Sequence, residues 1–356
     1  MFETDKLSGA EALMEAQKIA FAPVIFQTAR LLQEWGIFEL LHQSGDKGLD
    51  VDELVKATGV SEYGIKVLCE SGYSMGALKL KEGRYFLTRV GYFLQYDEMT
   101  KANFDFNQYV NYLGLNELGD AIKTSTPAGL HSTFNEGWET IYPYLSKLPS
   151  KAKESWFGFD HFYSDAAFAT LVEIMTKRAP KKLLDVGGNT GKWTLAITQA
   201  SPETEVTILD HPGQIEVAFE NAVKAGVKER VNGVPMDLLD HSVAFPTGFD
   251  VVWMSQFLDC FPPEDIINLL KRAAAALNET GRVHVIEPYW DRQSHEIGAY
   301  CLINTSPYFT ALANGTSKMY SAEDMHEYIQ AAGLEVDEEI DGLGFGHTMT
   351  ICKKKS

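Results

Sequence analysis

The residues best placed to do chemistry lie in the segment Lys182-Leu183-Leu184-Asp185-Val186-Gly187-Gly188-Asn189-Thr190-Gly191-Lys192-Trp193. It reads as an apolar strand that ends in an acid and turns through a glycine-rich loop into a helix. Glycine lets backbone approach a ligand closely and adopt turns that a side chain forbids. In open α/β sheets such a loop, at the carboxyl end of a strand, is where ligands bind. Three cofactor classes compete for it. A dinucleotide loop needs G-x-G-x-x-G, and neither Gly187 nor Gly188 starts one. A P-loop needs G-x-x-x-x-G-K-[ST]; Gly191-Lys192 fits its end, but Val186 and Trp193 occupy the first and last required positions. The pattern D-x-G-x-x-x-G is met by Asp185, Gly187 and Gly191. A strand-end acid repels phosphate and suits a cationic ligand such as S-adenosylmethionine, with its sulfonium and ammonium groups.

Downstream spacing supports that choice. Val206-Thr207-Ile208-Leu209-Asp210 reads as a second strand ending in an acid, at the distance from the loop expected of a ribose-hydroxyl acceptor. Asp237, in Val234-Pro235-Met236-Asp237-Leu238-Leu239, is a third such acid and suits an adenine amino group. Each acid alone is equally an N-cap or a solvated loop residue. Three in succession behind this loop are the stronger signal.

These motifs resemble the class I S-adenosylmethionine-dependent O-methyltransferases of the plant caffeate and bacterial polyketide type. The resemblance also rests on Phe249-Asp250-Val251-Val252-Trp253-Met254-Ser255-Gln256, on Gly281-Arg282-Val283-His284-Val285-Ile286-Glu287, and on Ala331-Ala332-Gly333-Leu334 before a closing strand pair. It implies that Asp185, Gly187, Gly188, Gly191, Asp210, Asp237, Leu238 and Ser255 line the cofactor. It implies methyl transfer to a hydroxyl of a small aromatic or polyketide-like acceptor, with no metal.

The catalytic segment departs from the family pattern. Where the family carries a histidine base, Leu258-Asp259-Cys260-Phe261 has Asp259. Of the family's two orienting acids, one is kept as Glu287 and the other falls at about Lys318. An Asp259–Lys318 ion pair is therefore expected to replace the histidine–glutamate pairing. A carboxylate of pKa about 3.9 is a weak base for a phenol of pKa about 10, unless burial raises it. His161, in the aromatic run Phe157 to Tyr163, is an alternative base and also an ordinary packing histidine. Alignment alone can supply much of the rate for an activated methyl group, and relatives lacking the base can bind the cofactor without methylating. His211 is expected beside the ribose, and His284 inside its strand. Phe162, Tyr163 and Phe309 are the candidate acceptor contacts, with Tyr308, Tyr289 and Trp290 as further aromatic wall.

These residues require elements to hold them. From Lys182 to Ile351 strand and helix patterns alternate, the signature of a doubly wound α/β fold. The resemblance makes it a mostly parallel, seven-stranded, Rossmann-like methyltransferase sheet. Residues 102–177 read as helical and aromatic, punctuated at Pro127-Ala128-Gly129 and Leu148-Pro149-Ser150. Ahead of them, apolar spacings of three and four mark helix over residues 11–41, with Pro23 as a possible break. Asp50 with Glu53 forms a capping box, Ser61 caps the next helix, and residues 78–87 alternate as a strand pair turning at Glu82-Gly83. That order is winged-helix-like. The expected organisation is a winged-helix-like dimerisation domain over residues 1–100 and a methyltransferase domain over 101–356, with a helical substrate cap over about 101–178.

Composition bounds the alternatives. The chain has 356 residues, 45% hydrophobic and 22% charged, enough for two globular domains. Its net charge of -18 disfavours nucleic acid and acidic membranes as partners. The would-be recognition helix carries Glu62 and Glu70 against Lys66, which argues for dimerisation over DNA binding. Cys69, Cys260, Cys301 and Cys352 are scattered, as expected of a reduced cytoplasmic protein. The start Met1-Phe2-Glu3-Thr4-Asp5 is acidic, unlike a signal peptide, and residues 19–26 are too short to span a bilayer. C- or N-methyl transfer, and a cofactor-sensing winged-helix regulator, remain the competing functions.

Overall fold

The computed structural model describes residues 6–355, so the acidic start at residues 1–5 lies outside it. The chain divides into two compact units between Tyr109 and Val110.

In the first unit, helices α1 (Gly9–Ala20), α2 (Ala22–Glu34) and α3 (Ile37–Ser44) divide the long apolar stretch. Pro23 sits in the first turn of α2, where its missing N–H costs nothing, so it starts a helix instead of kinking one. Helix α4 (Val51–Thr58) carries the Asp50–Glu53 capping box, and α5 (Glu62–Ser74) is capped by Ser61. Strands β1 (Leu78–Lys81) and β2 (Arg84–Leu87) form the hairpin, and Leu49 bridges to Tyr85 as a third edge. Helices α6 (Arg89–Tyr96) and α7 (Glu98–Phe106) complete the unit. Leu32, Phe38, Leu54, Ile65 and Leu78 form its core. Arg84 reaches back to Asp50 at 3.0 Å and Glu53 at 2.6 Å, tying the wing to α4. No residue of α1 is buried.

The second unit is built on a seven-stranded sheet. Its strands are β3 (Lys182–Val186), β4 (Glu205–Asp210), β5 (Val231–Pro235), β6 (Phe249–Ser255), β7 (Leu277–Glu287), β8 (Leu334–Leu343) and β9 (His347–Lys354). Their spatial order is β5-β4-β3-β6-β7-β9-β8. The first five are parallel, and β9 and β8 join antiparallel. Alternation along β3 sends Leu183 to one core and Leu184 and Val186 to the other. Helices α11 (Lys192–Ala200) and α12 (Pro212–Lys224) cover the first face, and α13 (Pro263–Ala276) and α15 (Ala322–Ala331) the second. Trp193 and Trp253 stack with centroids 4.0 Å apart in the first of these cores. The chain winds outward from β3 through β4 to β5, then returns to the other side of β3 with β6. The switch point thus lies between β3 and β6, where the strand ends leave a crevice.

Residues 102–177 do not make continuous helix. Short turns, with α8 (Leu118–Thr124) and α9 (Ala128–Thr133), lead to α10 (Ser150–Arg178), a helix of 29 residues. Pro127, Pro143 and Pro149 break the earlier stretch, since each removes a backbone donor. The far half of α10 buries Ala167, Leu171 and Met175 at four-residue spacing. Its near half carries the aromatic residues. Helix α14 (Glu296–Tyr308) contains Pro307 and runs into a π-helical turn, Phe309–Ala313. Among the described residues no helix is long and apolar enough to cross a membrane.

Candidate active site

The loop after β3 has the conformation that its glycines require. Gly187 has φ 71° and Gly191 φ 80°. A Cβ on Gly187 would lie 2.4 Å from the Phe257 ring, so that ring closes over the loop from the β6 side of the switch point. Asp185 is turned into the loop. Its Oδ2 accepts from Thr194 Oγ1 at 2.6 Å and lies 2.8 Å from where a Gly188 Cβ would stand. Burial pushes its carboxyl up to about 7, against the Thr194 hydrogen bond and with help from Asp210. Asp185 therefore braces the loop from within.

Asp210, at the end of β4, is held by two backbone donors, Asn189 N–H at 2.8 Å and His211 N–H at 2.7 Å. Burial still raises its pKa. His211 is the exposed N-cap position of α12. Asp237 is exposed two residues beyond β5 and caps its own turn through Leu239 N–H at 2.9 Å. Leu238 beside it is buried. Ser255 ends β6, half-buried. The residues fit S-adenosylmethionine by the chemistry of their donor set: acids around a glycine cradle, with Lys192 drawn away from it. The Lys192 ammonium is clasped by both Asp165 oxygens and lies 3.3 Å from His161 Nδ1.

Across the switch point, β6 leads into the 3₁₀ turn Leu258–Cys260. Glu287, at the end of β7, accepts from Phe257 N–H at 3.0 Å and Leu258 N–H at 2.8 Å through Oε1. Its Oε2 is buried without a hydrogen-bond partner, and the residue is 2% exposed. Asp259 is 8% exposed and accepts the Cys260 thiol at 3.5 Å. Both carboxyls line one narrow cleft with Tyr289, Met319, Tyr320 and Met325. Burial pushes Asp259 up to about 6. Burial and then the neighbouring Asp259 charge raise Glu287 well above the usual carboxylate range. Two buried carboxyls cannot both ionise cheaply, so their pKa values split. The two groups therefore titrate as one coupled pair, with a single proton shared between them over the intervening pH range.

Lys318 does not join them. Its ammonium pairs with Asp324 Oδ2 at 3.0 Å, and the side chain is half exposed. Asp324 is fixed there because it also closes a capping box with Ser321 at the start of α15. A local, solvated pair costs less than burying an ammonium beside Asp259. The expected Asp259–Lys318 ion pair is thus replaced by an Asp259–Glu287 carboxyl pair. His161 stands exposed on α10, beside Lys192 and Asp165. His284 is buried in β7, and burial pushes its pKa down to about 3.

The aromatic candidates separate. Tyr289 belongs to the sheet core, its hydroxyl 3.3 Å from Thr350 Oγ1, and Trp290 follows it half-buried. Tyr308 accepts a hydrogen bond from Trp156 Nε1 at 2.7 Å and meets Phe309 edge-on. Phe162 stacks on Phe345 with centroids 4.7 Å apart, and Tyr163 packs on Phe159 and Phe162. Several positioning groups escaped the sequence reading. Asn314 Nδ2 donates to Cys260 O at 2.6 Å and Tyr320 Oη to Phe261 O at 2.7 Å, so two side chains pin the Asp259 turn. Gln256, at φ 47°, lies 2.6 Å from the buried His347 ring. Trp156 and Asp160 share a face of α10 one turn apart. None of these carries a sequence motif; the turn's partners come from segments about 60 residues downstream.

Comparison with known proteins agrees with this geometry. Residues 14–85 match the Dimerisation2-like domain, and residues 164–335 match the O-methyltransferase domain. The L-tyrosine C(3)-methyltransferase of Streptomyces lavendulae is 28% identical over 342 residues, 94% of this chain and 91% of that protein. The S-adenosylmethionine-dependent methyltransferase SibL shares the fold with a TM-score of 0.71 at 23% identity, over 95% of this chain and 98% of SibL. NcsB1, an O-methyltransferase from neocarzinostatin biosynthesis solved with S-adenosylmethionine and 2-hydroxy-5-methyl naphthoic acid, shares it at 0.66 and 19% identity, over 93% and 96% of the two chains. A glycine cradle with strand-end acids, a carboxyl pair across the switch point and both matched domains together make this chain an S-adenosylmethionine-dependent methyltransferase, an O-methyltransferase domain behind a Dimerisation2-like domain.

Proposed function

We propose that the enzyme moves the methyl group of S-adenosylmethionine to a hydroxyl of a small aromatic or polyketide-like acceptor, with Asp259 taking the hydroxyl proton. The observation that carries this reading is the buried Asp259–Glu287 pair beside the glycine loop. The cofactor supplies an activated methyl group on a sulfonium. Asp210 accepts the ribose hydroxyls, Gly187, Gly188 and Gly191 let the backbone approach, Asp185 braces them, and Asp237, Leu238 and Ser255 border the adenosine. Near neutral pH Asp259 is the ionised member of its pair, and its raised pKa makes it a better base than a solvated aspartate. Glu287, protonated, holds the turn through Phe257 and Leu258. Phe162, Tyr163 and Phe309 are the proposed acceptor contacts. Lys318 and His161 are left outside the chemistry.

Transfer of labelled methyl from S-adenosylmethionine to a panel of phenols tests the reading. Asp259→Asn is expected to lower the rate by about 100-fold while S-adenosylhomocysteine binding is kept; an unchanged rate would refute the role. A second outcome has a specific motive, because the long tyrosine-methyltransferase relative is named for methylation at carbon. A phenolate is nucleophilic at oxygen and at its ortho carbons, so the same deprotonation primes both. Product analysis distinguishes an ether from a ring methyl.

At the scale of the chain, we propose that residues 1–100 dimerise and residues 101–356 catalyse, with 101–178 as a cap over the acceptor. A homodimer is supported by the wholly unburied helix α1. A cytoplasmic setting is supported by four free cysteines among the described residues. The absence of a nucleic-acid role is supported by the net charge of -18 and by Arg84 being spent on Asp50 and Glu53.

A further inference from the structure

The loop between β5 and β6, residues 236–248, holds no helix or strand, yet it carries Asp237 and Leu238, two of the proposed adenosine contacts. Its internal backbone bonds, Asp240 N–H to Asp237 O and Val243 N–H to Asp240 O, are local turns of 3.2 Å each. The groups that anchor it come from α13. The Arg272 guanidinium donates to three carbonyls along the loop: to Leu238 O through Nη2, and through Nη1 to Asp240 O at 3.2 Å and Val243 O at 3.3 Å. Its central carbon stands 4.5 Å from the centroid of the Phe245 ring, which shares with Leu238 the core under α13. Asp265, two turns earlier on α13, holds His241 at 3.0 Å. Arg272 is 8% exposed, and its Nε is buried without a hydrogen-bond partner. Its bonds go to backbone carbonyls and, among the described residues, none goes to a carboxylate. Burying a charge this way costs more than burying an apolar side chain of similar volume. Stability alone therefore does not call for arginine at this position. The fork does: its planar donors reach several carbonyls at once, which a lysine ammonium does not match. Asp237 is exposed, and its Oδ1 accepts from Leu239 N–H at 2.9 Å, one residue beyond the carbonyl that Arg272 Nη2 holds. The direction of the Asp237 carboxylate is thus set by backbone that Arg272 pins.

We infer that Arg272 is a positioning residue for cofactor specificity: by pinning the carbonyls of Leu238, Asp240 and Val243 it holds the Asp237 carboxylate where the amino group of adenine docks. The inference rests on the proposed Asp237–adenine contact and adds the group that sets it. Arg272 itself touches no ligand and acts through the loop. A carboxylate accepting from an amino group forms a charge-assisted hydrogen bond, and such a bond weakens steeply once donor and acceptor lose alignment. Without the guanidinium, Leu238 and Phe245 still sit in the core, but the backbone around Asp237 has lost its fixed path. The consequence falls on the one ligand group that Asp237 reads, while the glycine loop and Asp210, on other strands, keep theirs.

The test is calorimetric titration of the full-length protein with two ligands: S-adenosylhomocysteine, and its analogue in which unsubstituted purine replaces adenine and the amino group is lost. Wild type is expected to bind S-adenosylhomocysteine at least about ten-fold more tightly than the purine analogue. Arg272→Met keeps an apolar stem against Phe245 and removes the donors. It is expected to collapse that ratio toward unity while the purine analogue binds within about three-fold of its wild-type affinity. Arg272→Lys, with a charge but no fork, is expected to fall between the two. A preference for adenine that survives in Arg272→Met would overturn the inference. So would an equal loss of both ligands, since Arg272 would then be a general brace of the fold. Should Arg272→Met not fold, Arg272→Lys decides: a wild-type ratio in that variant would show that the fork does not set the contact. Wild type binding the two ligands equally would overturn the inference together with the Asp237 assignment, and failure to bind either would strike at the methyltransferase reading itself.

Discussion

At the scale of single residues, the proposed chemistry turns on which carboxyl holds a proton. Burial, and then the neighbouring Asp259 charge, raises Glu287 well above the usual carboxylate range. Glu287→Gln keeps an acceptor for Phe257 and Leu258 and changes no charge near pH 7, so the rate is expected to stay within about five-fold. A drop of two orders of magnitude on steady-state assay would mean that Glu287 works ionised. The rate should climb with pH as Asp259 ionises around pH 6; Asp259→Asn should abolish that limb, and Asp259→His should restore turnover with a limb of its own. Lys318→Met should leave kcat within about two-fold, because its partner is the solvated Asp324. Asp185 gives a stability test. Its folded pKa, about 7, lies above the unfolded value, so the stability it lends is complete at pH below about 4 and is lost as pH rises through 7. Asp185→Asn keeps an oxygen for Thr194 and removes the charge. Its melting temperature should match wild type at pH 4 and exceed it by roughly 5 °C at pH 8. Equal pH profiles by calorimetry would show that Asp185 is not held up by burial.

At the scale of elements, the site is the product of two strand ends and what closes over them. The β3 loop was legible because its requirement is local: glycine at Gly187 and Gly191 is demanded by positive φ, Asp185 stands one residue before the end of β3, and Asp210 ends β4. The Asp259 turn was only half legible. Asp259 stands out by position in the chain, but its partner is chosen by where the segments after α14 run. Asn314 and Tyr320 had no reason to be linked to a turn about 60 residues upstream until the sheet brought them together. The same is true of Phe257 over Gly187. Gly187→Ala is both sterically opposed by that ring and conformationally strained. S-adenosylmethionine affinity by calorimetry should fall by at least about ten-fold; an unchanged affinity would mean that the loop does not cradle the cofactor. In residues 102–177 the breaks at Pro127 and Pro149 were legible, and each precedes a helix, α9 and α10, because proline ends the preceding turn and sits at a helix start without cost. Only α10, free of proline, forms a long helix.

At the scale of the whole molecule, two units share one chain and the first has an unfinished surface. Helix α1 leaves Leu13, Met14 and Ile19 exposed, with Ile19 at 76%. Apolar exposure of that size on a helix with no buried residue calls for a covering surface. Ile19→Glu with Leu13→Glu should convert a particle of twice 39.6 kDa into one of 39.6 kDa in sedimentation equilibrium. A wild-type protein already sedimenting as the smaller particle would refute the dimer. The winged-helix order was readable from caps and turns; the use of that module was readable only from charge, and Arg84 adds a structural reason by turning inward. Methyl transfer itself remains the property that every scale serves, and Asp259 is the residue on which its proposed proton transfer depends. The most direct measurement is the rate of labelled methyl transfer to a phenol panel against pH, for wild type and Asp259→Asn, with S-adenosylhomocysteine binding measured in parallel. The wild-type rate is expected to rise around pH 6, and the variant to bind the product normally but transfer methyl about 100-fold more slowly with no such rise. Transfer by Asp259→Asn at the wild-type rate and with the wild-type pH profile would contradict the role of Asp259.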